Sequence, residues 1–314
     1  MTDHADIPLV VAVVLTWNDT ELTTACLRSV LANDYPRLQV VLVDNGSVPA
    51  VGPQLQAAFP DVMLVQNPEN QGFSGGANRG LEKALELGAD YIQLIGNDAT
   101  LAADSVATLV AALQGDDRAG AAGPLLLDAA EPDKVQFYTA TLDRDQAAHY
   151  HEHVGEPHAS RDWPTVESDF IPCVALMFRS SALREVGLLD ESFGTCWEDY
   201  DLCLRLQDAG WHYLSVGAAT AIHVGSHTTG RTSPYIVYYT MRNRLICLQR
   251  YSRDLGSPRR WWNVSRSLLW NMRQYGLLNW RCHGAMLRGI WDYLFGGLRG
   301  EAPNTKPGAI PGAN

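Results

Sequence analysis

The chain has 314 residues, of which 46% are hydrophobic and 19% are charged, so it can bury a sizeable core and is not a disordered chain. Its net charge of −11 argues against general nucleic-acid binding, because a phosphate backbone selects a basic surface. Six cysteines occur without a C-x-x-C pair. That usage is typical of a reduced, cytoplasmic protein without a structural zinc site.

The charge is distributed unevenly along the chain. Residues 1–230 hold 11 Lys and Arg against 32 Asp and Glu, whereas residues 231–300 hold twelve Arg and two acids. This change of sign predicts two surfaces with different partners. The longest apolar run, residues 9–15, is far below the ~20 residues of a membrane span, and the N-terminus lacks the basic segment of a signal peptide.

Short β-like runs alternate with helical patterns through the first 127 residues. The Val-rich run at 9–16 predicts a strand buried on both faces, and Asp19 or Thr20 caps a helix that ends near Ala32. Further strands are predicted at 38–43, 62–66, 91–95 and 119–127, with helices at 75–87 and 103–113. Repeated β-α-β units predict a mostly parallel sheet with right-handed crossovers.

The second half of the chain is less regular. Residues 143–165 have no apolar period, and we interpret them as a loop or a hairpin excursion. They contain His149, His151, His153 and His158, but no Cys or paired carboxylate supports a metal-binding tract. The following pattern predicts a strand at 170–178 and helices at 180–186, 198–208, 235–251, 260–275 and 279–298, before a loose tail.

Acidic residues follow two of the predicted strands at their carboxyl ends, where open α/β sheets bind ligands. Asp44 can accept from a ribose hydroxyl or a base N–H, although Asp-Asn-Gly is also a common turn. Asp98 can hold a divalent cation that bridges a diphosphate. The first strand lacks the glycine-rich turn of a dinucleotide site, and the glycines at 70–80 precede no Gly-Lys-Ser/Thr of a P-loop.

Two downstream segments add further acidic and imidazole groups. Glu198, Asp199 and Asp201 open a predicted helix, where acids either favour the helix dipole or supply a general base. His223 follows an apolar strand, where a single histidine is more often structural than a metal ligand.

Taken in order, these segments resemble the family-2 glycosyltransferases with the GT-A fold, and in particular their bacterial rhamnosyltransferase-like branch. The resemblance is carried by VVLTWND (13–19), CLRSVLANDYP (26–36), VVLVDNGS (40–47), NQGFSGGANRG (70–80), GND (96–98), FIPCVALMFRSSALREVGLLDESF (170–193), WEDYDLCLRL (197–206), AIHVGSHT (221–228) and YYTMRNRL (238–245). These segments follow the family's order.

The resemblance implies an α/β fold of the GT-A type, with a Rossmann-like, mostly parallel sheet flanked by helices. The catalytic domain would occupy residues 1–230, with a nucleotide-binding half at 1–127 and an acceptor half at 166–230. Amphipathic C-terminal helices would follow at 231–300, and a disordered tail at 301–314.

The resemblance also implies roles for individual residues. Asp199 would be the catalytic base, and Trp197 and Glu198 would shape the acceptor pocket. The nucleotide-sugar donor would contact Thr16, Asp44, Asn45, Asn70, Gly72, Asn78, Arg79, Asn97, Asp98, Arg242 and Arg244. The two last arginines would act at the donor diphosphate or at an acceptor phosphate.

The implied cofactor is a divalent cation, Mg²⁺ or Mn²⁺. Its ligands would be Asp98, which matches the last acid of the family's D-x-D motif, and His223. Gly96 stands where that motif has its first acid, which leaves one carboxylate for the metal.

The implied activity is an inverting transfer of a sugar, with L-rhamnose as the first candidate. The donor would be a dTDP- or UDP-sugar, and the acceptor a hydroxyl of a cell-surface polysaccharide or a lipid-linked glycan. A sugar-nucleotide pyrophosphorylase is one alternative, but it would need a basic glycine-rich loop after the first strand. A non-catalytic sugar-nucleotide-binding protein is the other, and it has no need of Asp199 or His223.

Arginine and aromatic residues alternate through the predicted C-terminal helices. This pattern suits an anionic bilayer interface. Packing against the catalytic domain, or a homo-oligomer interface, explains the same residues equally well. The expected location is the cytoplasm, with peripheral attachment to the inner face of the plasma membrane as the alternative.

Overall fold

The computed structural model describes residues 7–225, 233–252 and 279–296, together with the isolated positions Trp262 and Ser265. Within them the chain forms a mixed α/β fold with one large sheet. The predicted helix at 260–275 and the predicted disordered tail lie outside the described residues, apart from the two isolated positions.

The described elements are numbered in chain order. The strands are β1 Val10–Thr16, β2 Leu38–Asp44, β3 Met63–Gln66, β4 Tyr91–Gly96, β5 Ala99–Leu101, β6 Ala119–Asp128, β7 Val135–Phe137, β8 Thr139–Asp143, β9 Ala148–Glu152, β10 Thr165–Ser168, β11 Ala175–Arg179 and β12 His212–His223. The helices are α1 Thr20–Leu31, α2 Gly52–Ala58, α3 Gly72–Glu86, α4 Ser105–Gln114, α5 Ser180–Val186, α6 Glu198–Asp208, α7 Pro234–Tyr251 and α8 Trp280–Phe295.

The main path of the large sheet runs in the order β10-β12-β6-β11-β4-β1-β2-β3. Strand β1 lies between β2 and β4 and is parallel to both, β3 is parallel to β2, and β6 is parallel to β12. Strand β11 is antiparallel to its neighbours β4 and β6. The predicted mostly parallel sheet is confirmed, and one reversed strand divides its two parallel parts. The carboxyl ends of β1, β2 and β4 therefore share one edge.

Helix α3 lies very close to the sheet because it carries glycines where it crosses the strands. A Cβ atom at Gly80 would lie 2.2 Å from Cγ1 of Val13 in β1, and one at Gly76 would lie 2.7 Å from the side chain of Asn45. The helix begins at Gly72, whereas the sequence pattern predicts Gly75. The glycines of residues 72–80 thus belong to the helix, and Gly76 and Gly80 serve its packing against the sheet.

Residues 139–152 form the two-stranded β8–β9 hairpin. This confirms the hairpin excursion, one of the two interpretations of this segment, and β9 carries two of the four clustered histidines, His149 and His151. The strand predicted at 170–178 begins only at Ala175. Pro172, which has no N–H for a sheet ladder, opens a turn in which Val174 donates to its carbonyl at 2.8 Å.

Helices α7 and α8 pack against each other. A Cβ atom at Gly289 would lie 2.7 Å from the carbonyl oxygen of Tyr238, so the two backbones approach closely. The Tyr238 hydroxyl donates to Asp292 at 2.7 Å across the same contact. Among the described residues, no helix has the length and apolar character needed to span a bilayer.

Candidate active site

Thr16 and Asn97 share one hydroxyl network at the carboxyl edge of the sheet. The hydroxyl oxygens of Thr16 and Thr23 lie 2.6 Å apart, and Nδ2 of Asn97 donates to the Thr23 hydroxyl at 3.1 Å. Because Thr23 belongs to α1, this network ties that helix to the ends of β1 and β4. It brings two predicted donor-binding residues together.

Asp44 ends β2 and is fully buried. One carboxylate oxygen accepts from the N–H of Ser47 at 3.0 Å, and the other accepts from Val51 and Gly52 at 3.0 and 2.8 Å. Burial acts to raise the pKa of Asp44, but hydrogen bonds from Ser47 and Gly52 hold it below its ordinary value. Both oxygens therefore stabilise the turn and the start of α2, and base recognition by Asp44 stays a prediction.

Asn45, Asn70 and Gly72 form a second network. Nδ2 of Asn45 donates to Oδ1 of Asn70 at 3.1 Å and to the carbonyl of Gly72 at 2.8 Å. Gly72 has φ = +73°, and a Cβ atom there would lie 2.6 Å from the carbonyl oxygen of Gly194. This close approach requires glycine, and it joins the start of α3 to the loop that leads into α6.

Asn78 and Arg79 connect α3 to the segment at 189–191. The amide of Asn78 donates to the carbonyl of Leu189 at 2.9 Å and accepts from its N–H at 3.1 Å. Arg79 forms ion pairs with Glu191 at 2.8 Å and with Glu82 at 3.1 Å. The contacts of both side chains in the structure are thus to protein groups, and their contacts to the donor remain predicted.

Asp98 and His223 meet at the sheet edge. Oδ2 of Asp98 lies 3.3 Å from Nε2 of His223, because β12 pairs with β5 directly after Asp98. Nδ1 of His223 lies 2.6 Å from Oε1 of Gln136, and the Gln136 amide nitrogen lies 3.3 Å from the carbonyl of His223. Gln136 carries no signal in the sequence, since it lies 87 residues from His223 and in a strand of only three residues.

A Cβ atom at Gly96 would lie 2.8 Å from Oδ1 of Asp98. The residue that replaces the first acid of the D-x-D pattern is thus directly beside the remaining carboxylate. Among the described residues, no group of three or more His, Cys, Asp or Glu side chains has the arrangement of a metal site. Asp98 and His223 are the two such side chains that meet here, and their binding of a cation stays a prediction.

Glu198 and Asp199 form an acid pair at the start of α6. Burial and the negative charge of Asp199 raise the pKa of Glu198 well above its ordinary value. Burial also raises the pKa of Asp199, to about 6, against the opposing effect of backbone hydrogen bonds from Tyr200 and Cys173. Oε2 of Glu198 is buried and has no hydrogen-bond partner. The pair thus combines one acid whose pKa lies well above its ordinary value with one whose pKa is about 6.

The loop before the acid pair is held in an unusual backbone conformation. Cys196 and Trp197 have φ = +64° and +73°, the left-handed region that costs a non-glycine residue about 1–2 kcal/mol. The amide of Asn243 in α7 donates at 2.8 Å to the carbonyls of Phe193, Thr195 and Cys196. Asn243 therefore positions this loop. In the sequence, the only sign of a role for Asn243 is its place within the YYTMRNRL motif.

Asp201, the third acid of α6, has a structural role. Its buried carboxylate pairs with Arg205 and Arg250, both at 2.9 Å, and accepts from the Tyr251 hydroxyl at 2.6 Å. These contacts neutralise its charge. Asp201 therefore differs from Asp199, although the two are only two residues apart.

Arg242 and Arg244 both bind protein oxygens. Arg242 donates to the carbonyl of Ser192 at 2.9 Å, and Arg244 donates to the carbonyls of Gln146 and Ala147 at 2.9 and 3.0 Å. The first contact supports the loop before the acid pair, and the second supports the β8–β9 turn. A role of either arginine at a phosphate stays a prediction.

A sequence profile described as "Glycosyltransferase like family 2" matches residues 8–244, well over half of the chain. The chain therefore belongs to glycosyltransferase family 2, and it is an enzyme that transfers a sugar from a nucleotide donor. The resemblance carried by the sequence motifs is confirmed.

Two curated mycobacterial enzymes are similar over most of their length. The N-acetylglucosaminyl-diphospho-decaprenol L-rhamnosyltransferase of Mycobacterium tuberculosis is 26% identical over 252 residues, which cover 74% of this chain and 81% of that enzyme. The galactofuranosyltransferase GlfT1 of Mycolicibacterium smegmatis is 23% identical over 230 residues, which cover 68% of this chain and 70% of that enzyme. The first relative supports the rhamnosyltransferase-like branch.

Solved structures share the fold. The mannosyltransferase PcManGT of Pyrobaculum calidifontis, in complex with GDP-Man and Mn²⁺, superposes with a TM-score of 0.57 at 15% identity, over 93% of this chain and 88% of that one. The structure of GalNAc-T7 with UDP, GalNAc and Mn²⁺ superposes with a TM-score of 0.58 at 14% identity, over 76% of this chain. The chain spans about half of that protein, 48%. These similarities confirm the GT-A fold.

Proposed function

We propose that the protein is an inverting glycosyltransferase that moves L-rhamnose from a dTDP-linked donor to a hydroxyl of a lipid-linked glycan; a UDP-linked donor is the second choice. The observation that carries the proposal is the meeting of Asp98 and His223, 3.3 Å apart, at the sheet edge that also bears Thr16 and Asp44. The name of the mycobacterial relative supports the sugar and the lipid-diphosphate acceptor.

Asp199 is the base in this proposal. A carboxyl group with a pKa of about 6 is ionised at neutral pH and still basic enough to accept a proton. It takes the proton of the acceptor hydroxyl as that oxygen bonds to the anomeric carbon. The bond from this carbon to the diphosphate oxygen breaks, and the nucleoside diphosphate leaves with the electron pair. Attack from the opposite face inverts the anomeric configuration.

The residues at Asp98 fit a divalent cation. Oε1 of Gln136 only accepts, so the proton of a neutral His223 ring sits on Nδ1 and the lone pair of Nε2 faces Asp98. A carboxylate and an imidazole lone pair 3.3 Å apart are stabilised by a proton or a cation between them. Mg²⁺ or Mn²⁺ held there would offset the charge that develops on the leaving diphosphate.

The outer face of α8 is proposed to rest on an anionic bilayer. Trp280, Leu287, Trp291, Leu294 and Phe295 lie along one side of the helix and are 55–72% exposed. Cys282, Ala285, Met286 and Gly289 are buried on the opposite side.

The guanidinium of Arg281 lies 5.5 Å from the Trp280 ring, so a basic group borders the apolar face, as anionic lipids require. Helix α7 connects this face to the acid-pair loop through Asn243. A lipid-linked acceptor would thus be presented near Asp199, with the protein peripheral on the inner face of the plasma membrane. A homo-oligomer interface on the same face is the competing outcome.

A donor and acceptor screen tests the proposal. Release of nucleoside diphosphate is measured with dTDP-rhamnose, UDP-glucose, UDP-galactose, UDP-galactofuranose and GDP-mannose, each with and without a short-chain prenyl-diphospho-N-acetylglucosamine. The expected result is release from dTDP-rhamnose that requires the acceptor. Release from another donor alone would contradict the sugar assignment, and exchange of pyrophosphate into a nucleoside triphosphate would favour a pyrophosphorylase.

A further inference from the structure

The β8–β9 hairpin brings an imidazole ring to Trp197, the residue directly before the acid pair. His149 and His151 are two residues apart in β9 and therefore lie on the same face of the hairpin. The His149 ring stacks on Phe170 at 4.5 Å and on His151 at 4.9 Å. It also lies 6.0 Å from the ring of Trp197, the residue directly before Glu198.

The hairpin is fixed in this place by both neighbouring helices. The Tyr200 hydroxyl of α6 donates to the carbonyl of Asp143 at 3.2 Å, and Arg144 pairs with Asp208 at 2.5 Å. Arg244 of α7 binds the carbonyls of the turn, at Gln146 and Ala147. His149 is therefore held beside Trp197 by defined contacts and not by the hairpin alone.

Two buried polar atoms near Trp197 in space or in the chain have no hydrogen-bond partner. They are Nδ1 of His149, whose ring lies 6.0 Å from the Trp197 ring, and Oε2 of Glu198, the next residue in the chain. A buried polar atom without a partner destabilises a protein, so these two atoms point to a ligand that supplies the missing hydrogen bonds. Burial, with the nearby His151 and Arg244, lowers the pKa of His149 to about 4. Its ring is thus neutral at neutral pH and can both donate and accept.

We propose that His149 is an acceptor-positioning residue, whose Nδ1 hydrogen-bonds a hydroxyl of the acceptor sugar that lies against Trp197. The inference rests on the proposed function and deepens it, because it assigns a specificity role to the hairpin. In the same proposal, the unpartnered Oε2 of Glu198 binds this sugar as well. The hydroxyl that Asp199 deprotonates is held between these contacts.

Substitutions of His149 test the proposal, with dTDP-rhamnose as donor and prenyl-diphospho-N-acetylglucosamine as acceptor. His149→Phe keeps a ring on Phe170 and removes both nitrogens. It should raise the acceptor KM about tenfold, the order expected for a lost hydrogen bond to a buried group, and leave the donor KM unchanged. His151→Phe, on the same face of the hairpin, is the matched control and should leave both values unchanged.

A second pair of variants separates the effect of losing the Nδ1 hydrogen bond from the effect of losing the imidazole ring. The amide of His149→Asn lies where Nδ1 lies, whereas that of His149→Gln reaches the position of Nε2. The Asn variant should keep an acceptor KM within about threefold of the wild type, and the Gln variant should not. This comparison holds even where His149→Phe lowers the melting temperature.

Equal acceptor KM values for the wild type, His149→Phe and His149→Gln would overturn the inference while the proposed function stands. Equal losses in His149→Phe and His151→Phe would also overturn it, since they indicate a structural role of the hairpin. A wild type that transfers nothing to the acceptor contradicts the proposed function itself, and the inference falls with it.

Discussion

Asp199 and Asp201 are two residues apart in one helix, and their surroundings give them different roles. Asp201 is neutralised by Arg205 and Arg250, whereas Asp199 forms no ion pair with an arginine in the part of the chain that the structure describes, and it accepts backbone hydrogen bonds. The sequence alone cannot separate the two acids, because Arg250 comes from another helix, 49 residues away. In the sequence, only the match to the family motif favours Asp199 over Asp201 as the catalytic base.

Asp199→Asn should lower kcat by roughly 10²- to 10⁴-fold, the usual contribution of a general base. Donor affinity, measured by calorimetry with the nucleoside diphosphate, should stay near the wild-type value. Asp201→Asn is the control: it should destabilise the fold by about 1–3 kcal/mol while the folded fraction keeps its turnover. Full turnover in Asp199→Asn would remove it as the base.

The pH dependence of turnover follows from the pKa of Asp199. With a pKa raised by burial to about 6, the base is ionised only above that value, so kcat should rise through pH 6 and then level off. A flat profile from pH 5 to pH 7.5 would count against this assignment.

The raised pKa of Asp199 makes turnover rise with pH, but it makes the stability of the fold fall with pH. The folded state binds the Asp199 proton up to about pH 6, whereas the unfolded chain releases it near its ordinary value of 3.8. This acid therefore lowers the stability of the fold as the pH rises between those values. Asp199→Asn should lose less thermal stability than the wild type over that interval, as melting curves at several pH values would measure.

Gln136 should control the cation site through His223. Gln136→Met removes the acceptor for Nδ1–H, so the imidazole loses its orientation, and the affinity for Mn²⁺ with nucleoside diphosphate should fall roughly 10- to 100-fold. Electron paramagnetic resonance of Mn²⁺ measures this directly. Gln56→Met, on the exposed side of α2, is the control.

No Mn²⁺ binding by the wild type, together with full activity in EDTA, would contradict the cation site. The charge of the leaving diphosphate would then have to be balanced by Arg79, Arg242 or Arg244.

At the scale of elements, α3 depends on glycine where it crosses β1. Gly80→Ala would bring a methyl group to 2.2 Å from Val13, and the overlap should destabilise the fold by about 1–3 kcal/mol. Gly115→Ala at the end of α4 meets its nearest atom only at 3.4 Å and should be near neutral. Urea unfolding compares them, and equal stability of the two variants would contradict this packing.

Long apolar elements could be predicted from sequence, whereas some short ones could not, although the seven-residue α5 and the four-residue β3 were predicted. The valines of β1 and the helical spacing of α1 predict those elements nearly to their ends. Helix α2, with seven residues, and strand β10, with four, carry too few residues for a period to show. The meeting of Asp98 and His223 follows from the motif resemblance, but the Gln136 contact is tertiary and has no sequence signal.

At the scale of the whole molecule, the basic C-terminal segment should attach to anionic lipid. Binding to vesicles with anionic lipid should weaken with salt, since the Debye length falls from about 10 Å at 0.1 M to about 3 Å at 1 M. Trp291→Glu should reduce the bound fraction, whereas Val154→Glu, at another exposed apolar site, should not. Co-sedimentation measures both, and a dimer that forms regardless of salt without vesicle binding would contradict the membrane role.

Transfer of the sugar to the acceptor is tested most directly by analysis of the product. Wild-type protein is incubated with dTDP-rhamnose, Mg²⁺ and prenyl-diphospho-N-acetylglucosamine, and the lipid product is analysed by mass spectrometry and by NMR of its anomeric centre. We expect one deoxyhexose per acceptor, equimolar release of dTDP and an anomeric configuration opposite to that of the donor. An unmodified acceptor, or a product that retains the donor's configuration, would contradict the account.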